Sequence, residues 1–313
     1  MHIPDNFLSP PVWATLDTIA LPAIAFVSRR AQQHAEMNNF ALLGVMGAFV
    51  FAAQMINFPV GFGTSGHLVG GTLLAAVFGP WAAALVLSSI LIIQALVFQD
   101  GGVLALGPNI INMALLGVFA GYLPVRLLRE TRWKWQGVFW GGICSVIASG
   151  ILALVELRLS GNPISITLLV ISLGLFAINA VAEGAITVSV LKAIEKLNPQ
   201  LNEQFSRSLP ASANRSPRSK AVGAIAAVTV TLTMAGIIIA STLPDGIEQL
   251  AKRLRVPFNA SVVLHSPLRD YQIQVLGPSL FSRVSAGLTG LLLVYLACAA
   301  GSYLLTRSRR SYS

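Results

Sequence analysis

From Met37 to Gln99 the chain carries no Asp, Glu, Lys or Arg. That single run excludes most soluble folds, because a domain facing water breaks such stretches with charge. Further uncharged stretches run Gly101–Val125, Trp135–Val155, Leu159–Ala182, Ala221–Pro244 and Val284–Thr306. Each is long enough to supply the roughly 20 apolar residues that a membrane-crossing helix needs. Only 11% of all residues are charged, against about 25% in soluble domains. The expected fold class is an all-α polytopic membrane protein.

Helices are expected near 11–28, 40–58, 68–79, 81–98, 110–128, 136–158, 166–192, 221–243 and 285–306, nine in all. Asp17 and Pro22 interrupt the first, and Gly79-Pro80 divides one long apolar run into two. Glycines crowd the stretch from Gly61 to Gly71, so a loop is expected there, with backbone able to approach a ligand. The segment 198–220 is rich in Ser, Asn, Pro and Arg and reads as a cytoplasmic linker. It separates a seven-helix bundle, 1–197, from a two-helix part, 221–313, whose connecting loop covers 243–284. Within that loop Leu243-Pro244-Asp245-Gly246 is a turn signal that opens a short helix.

With the N-terminus outside and nine alternating helices, fifteen of the 21 Lys and Arg fall inside. Basic residues favour the cytoplasmic side, so the C-terminus is expected inside. The net charge of +9 is thereby a topology signal. Dispersed over short loops, these residues make no nucleic-acid surface. Cys144 and Cys298 lie in different spans without CxxC spacing, which speaks against a disulfide or a thiolate site.

The chemistry is concentrated at Met1-His2. A free amine, the His2 amide nitrogen and the His2 imidazole lie within one short segment and close fused chelate rings. Flat nitrogen ligation suits Ni2+ or Cu2+ better than Mg2+ or Ca2+. His67 is the candidate fourth donor. The segment that follows, Ile3-Pro4-Asp5-Asn6-Phe7-Leu8-Ser9-Pro10, is built to be ordered. Its two prolines fix φ, Asp5-Asn6 suits a tight turn, and Ile3, Phe7 and Leu8 favour burial. No positive charge precedes the first apolar stretch, so it does not read as a secretory signal. The bulk of His2 is expected to keep Met1 in place, with its amine.

Three motifs carry a family resemblance: Met-His-Ile-Pro-Asp-x-Phe-Leu-Ser at the start, Gly-Thr-Ser-Gly-His-Leu-Val-Gly-Gly at 63–71, and Gln-Asp-Gly-Gly-x-x-x-Leu-Gly-x-Asn-x-x-Asn-Met at 99–113. The chain resembles the CbiM/NikM family, the substrate-binding subunits of energy-coupling-factor transporters for cobalt and nickel. The two-helix part, with Leu-Pro-Asp-Gly-Ile-Glu, is similar to the CbiN/NikN partner fused to the same chain. The resemblance implies a prokaryotic cytoplasmic membrane and a site made of the Met1 amine, the His2 amide and imidazole, and the His67 imidazole. It also implies an integral-membrane coupling subunit and cytoplasmic ATPase subunits as partners. The chain itself has no Gly-x-x-x-x-Gly-Lys-Ser/Thr loop for ATP. Asn6 stands where the family usually has Gly. Asn tolerates left-handed backbone better than other side chains, so the turn is expected to survive.

Other readings compete for the same residues. Gly63-Thr64-Ser65-Gly66 fits the Gly-x-Ser-Gly of rhomboid proteases, which need a histidine base on another helix. His34 and His265 fall in distant loops, which leaves an enzyme without its base. A self-sufficient secondary transporter or channel would call for intramembrane acidic pairs, and Glu183 is nearly alone. Ser65, Gln99 and Asp100 are candidates to orient an imidazole from behind, though a solvated loop is an equal reading for Asp100. Asn109, Asn112 and Asn179 read as structural polar groups. Gly44, Ala48 and Ala52 permit close helix packing. Ni2+ or Co2+ is the expected cargo, and no resident cofactor is expected.

Overall fold

The structure, a computed structural model, describes residues 2–33, 40–61, 63–197, 219–239, 241, 243–254, 264 and 266–310. Its long helices are α1 (Pro10–Gln33), α2 (Phe40–Gln54), α4 (Pro80–Phe98), α5 (Leu106–Leu128), α6 (Lys134–Leu159), α7 (Ile166–Leu197), α8 (Ser219–Ile239) and α10 (Leu280–Arg310). Shorter helices are α3 (Gly71–Phe78) and α9 (Gly246–Leu254). Seven of these helices are long and apolar enough to cross a membrane, and α2 is a shorter apolar helix. The fold class expected from charge and hydropathy is therefore borne out. The linker 198–218, His34 and His265 lie outside the described residues.

The third expected helix corrects the nine-span reading. The helix expected from residue 68 begins only at Gly71 and ends at Phe78. Eight residues rise about 12 Å, less than half of a bilayer core. Residues 67–70 approach it without helical structure. Gly70 explains the late start, since its φ of 78° is left-handed. A side chain there would also collide with Val50. Before it, β1 (Phe58–Gly61) and β2 (Thr64–Gly66) form a small antiparallel hairpin, with Phe58 opposite Gly66.

Two other expectations shift for identifiable reasons. Asp17 does not interrupt α1. Its carboxyl instead accepts the Gly107 N–H at 2.6 Å, capping the first turn of α5 and starting that helix before residue 110. Pro22 is accommodated within α1. Both α4 and α5 also contain a widened π-helical turn, at Gln94–Phe98 and Ile110–Gly117. Such turns recur at functional sites, and both flank the candidate residues at 99–109.

The core lies among α2, α3, α4 and α5, where Leu43, Met46, Leu73, Leu87, Ile90 and Met113 are fully buried. Helices α8 and α10 pack mainly against α2. Gly44 and Gly47 allow this: a side chain on Gly44 would strike Tyr295, and one on Gly47 would strike Cys298 Sγ. Lipid tails are as apolar as Leu, so close van der Waals contact is what holds such helices together.

Candidate metal centre

His2 and His67 meet at one end of the bundle although 64 positions separate them in sequence. Their ring centres lie 5.2 Å apart with planes inclined by 13°. Relative exposure is 7% for His2 and 4% for His67. Two buried imidazoles, a ligand type suited to Ni and Cu, are thereby brought close together. Met1 lies outside the described residues. No group of three or more His, Cys, Asp or Glu side chains that could hold a metal occurs among the described residues. Among the described residues, the side chains that meet here offer the two imidazoles.

The terminal segment is anchored one residue from the candidate chelate. Asn109 on α5 accepts the Ile3 N–H at 2.8 Å, and its amide donates to Ile3 O at 3.0 Å. Gly102 N–H also donates to Ile3 O, and Leu104 N–H donates to Asp5 Oδ1. Asn6 takes φ 67°, so the turn does survive without Gly. Ile3, Phe7 and Leu8 are all buried, as their apolar character demands.

Four buried side chains of the bundle pin the loop that carries His67. Glu183 on α7 accepts the Val69 N–H at 2.6 Å and the Gly70 N–H at 2.9 Å, one on each carboxyl oxygen. One helical turn earlier, Asn179 donates to His67 O. Gln54 at the end of α2 donates to Val69 O, and Gln94 on α4 donates to Gln54 Oε1. Backbone groups that would be costly to leave unpaired in an apolar interior are thereby satisfied.

Ring nitrogens are assigned by their neighbours. His67 Nδ1 lies 2.9 Å from Leu68 O. A carbonyl only accepts, so Nδ1 carries the proton and Nε2 carries the lone pair. Burial above all, with the nearby His2 ring, pushes the His67 imidazole down to about 3. It is therefore neutral and able to bind a metal at physiological pH. His2 Nδ1 lies 3.3 Å from Asp100 Oδ1, while His2 Nε2 is buried without a hydrogen-bond partner.

The candidates to orient an imidazole part company here. Asp100 lies beside the His2 ring. Burial alone would raise its carboxyl, but the His2 ring and a hydrogen bond from Tyr271 hold it well below the usual carboxylate range. Gln99 contributes through its backbone: with φ 55° it closes α4 and turns the chain toward His2. Ser65 faces elsewhere. Its hydroxyl donates to Leu243 O at 2.7 Å and its N–H to Pro244 O at 2.8 Å. It ties the β-hairpin to the segment before α9 instead of supporting a ring.

Tyr271, Gln54, Asn179 and the clamp by Glu183 were not visible in the sequence as parts of this site. The one available signal was an acidic residue in a membrane helix, which is expensive unless it is partnered.

Fold and site together define a class: a multi-pass helical membrane protein with a buried imidazole pair suited to a transition metal. Residues 2–201 match the model of the cobalt uptake substrate-specific transmembrane region, CbiM, and the chain belongs to that family. A probable fused nickel transport protein, LarMN, of Lactiplantibacillus plantarum is 40% identical over 161 residues, 51% of this chain and 49% of that protein. The chain thus spans about half the length of that relative. The fused nickel transport protein NikMN of Rhodobacter capsulatus is 30% identical over 262 residues, 77% of this chain and 74% of its own. A crystal structure of a truncated transition metal transporter shares 32% identity and a TM-score of 0.54, over 63% of this chain and 99% of the other. The chain is a nickel/cobalt transport component of the CbiM/NikM type. Its relatives are named as transport proteins, not enzymes, which removes the protease reading.

Proposed function

We propose that the chain is the metal-capture component of an energy-coupling-factor importer in a prokaryotic cytoplasmic membrane. Its cargo is Ni2+ or Co2+, held by the Met1 amine, the His2 amide and imidazole, and the His67 imidazole. Nickel is favoured, because flat ligation that includes an amide nitrogen suits it best. The observation that carries this reading is the buried, near-parallel pair His2 and His67, set beside an ionised Asp100 and a terminal segment pinned at Ile3. An integral-membrane coupling subunit and ATPase subunits would drive release to the inside. Helices α8 and α10 with their connecting loop form an accessory module that supplies no direct ligand.

Metal binding to the purified chain with its native N-terminus tests this reading. Ni2+ or Co2+ binds at one site per chain, and His2→Ala or His67→Ala nearly abolishes binding without unfolding the bundle. One residue added before Met1 converts the amine to an amide and has the same effect, whereas a C-terminal tag is harmless. Affinity falls as pH drops below neutrality, because amine and amide must both lose protons. His67, already neutral down to about 3, does not contribute to that fall. An N-terminally extended chain that binds as tightly as the native one would falsify the amine-ligand model.

A further inference from the structure

The loop between α9 and α10 reaches the metal centre through one side chain that the reading above does not use. Tyr271 donates its hydroxyl to Asp100 Oδ2 at 2.5 Å, and the other oxygen of the same carboxylate faces His2 Nδ1 at 3.3 Å. A chain of contacts therefore runs from the C-terminal part of the protein to a candidate metal ligand. The Tyr271 ring is fixed for this task. It stacks on Phe98 with centres 4.6 Å apart and planes at 14°, and also lies against Phe51. Asp270 and Tyr271 both have φ 55°, and two successive non-glycine residues in that region persist only where the surroundings enforce it. Ser266 donates to Val97 O, and the Ser282 hydroxyl at the start of α10 accepts the Ile273 N–H and donates to Ile273 O. The loop is thus fastened on both sides of the strained pair.

We propose that Tyr271 is a positioning residue for metal capture, acting through Asp100 on His2. The inference rests on the proposed metal site and adds a specific task for the C-terminal helices within it. By occupying Oδ2, the phenol keeps Oδ1 turned toward the imidazole. A chelate that joins the His2 amide nitrogen to its own imidazole closes only through Nδ1, so the carboxylate 3.3 Å from that atom sets a negative charge beside the cation. That attraction tightens binding, and it is lost when the carboxylate is free to rotate away. Separately, Ser65 ties the segment before α9 to the hairpin that precedes His67, through Leu243 and Pro244.

A double-mutant cycle in the full-length chain tests the relay, with Ni2+ alone as the probe. Groups just outside the ligands of a metal are typically worth about 10–100-fold in affinity. Asp100→Asn is expected to weaken binding within that range, and Tyr271→Phe by roughly tenfold, at its lower end. Tyr271→Phe keeps the ring that stacks on Phe98, so its unfolding temperature stays native while the ligand-field band of bound Ni2+ shifts. In the Asp100→Asn background the same change has no further effect, because the relay is already cut. Native affinity in Tyr271→Phe overturns the proposal, as does a double variant whose loss is the product of the two single losses. His67→Ala separates the two levels of the argument. If it binds like the native chain, the metal site is wrong and the relay falls with it. If it abolishes binding while Tyr271→Phe changes nothing, the site stands and the relay alone is refuted.

Discussion

Glu183 shows what one side chain contributes at this depth. Its two oxygens each hold a backbone N–H of the loop that follows His67, so the residue does for Val69 and Gly70 what a capping residue does for a helix start. Glu183→Gln keeps the shape but turns an amide NH2 toward one of the two N–H donors, which is left unpaired. An unsatisfied buried group costs about 1–3 kcal/mol, and we expect a stability loss of that size in thermal unfolding. Because the clamp lies two residues from His67, Ni2+ affinity falls as well. Unchanged stability would show that water replaces the carboxylate. The two histidines were readable beforehand, since a second-position His beside a free amine has few other uses and the glycine-rich loop around His67 points to a ligand. Glu183 was readable only as an anomaly. Nothing in a linear pattern tells which backbone 113 positions away will satisfy it.

At the scale of elements, periodicity and charge located every long helix but misplaced ends that distant side chains decide. α5 begins early because Asp17 on α1 caps it, and α3 begins late because Gly70 must be left-handed. Asp17 acts from 90 positions away, whereas Gly70 acts on its immediate neighbour through a backbone conformation that an apolar pattern does not announce. The contact of α2 with α10 is a case where a local signal was faint but useful. Gly44 was legible as a small residue, yet Gly and Ala are so common here that its partner was not. Gly44→Leu drives a side chain into Tyr295 and should separate the helices. If the chain is expressed as two pieces split at Ala213, the first piece should retain the second in the native sequence and lose it in Gly44→Leu. Co-purification that survives the substitution would mean that α2 and α10 tolerate a wider spacing.

For the whole molecule, the proposed orientation is N-terminus outside and C-terminus inside, resting on the uneven placement of Lys and Arg. Reporter fusions after Ala213 and after Ser313 should both read as cytoplasmic, and an external signal at either position overturns that arrangement. The short α3 does not alter this expectation. α4 ends beside Asp100, near His67, and it begins where α3 stops at Gly79. The chain from His67 to Gly79 therefore covers the same depth as α4, part of it without helical structure.

The loop of His67 is closed by a residue that leaves the ribosome late. Glu183 follows its partner Gly70 by 113 positions of sequence, and translation proceeds at about 5–20 residues per second. His67 thus spends roughly 6–23 s in a nascent chain that has no clamp to hold it. Asp100 waits longer for Tyr271, which follows it by 171 positions. Synthesis therefore delays both contacts until most of the polypeptide has been made.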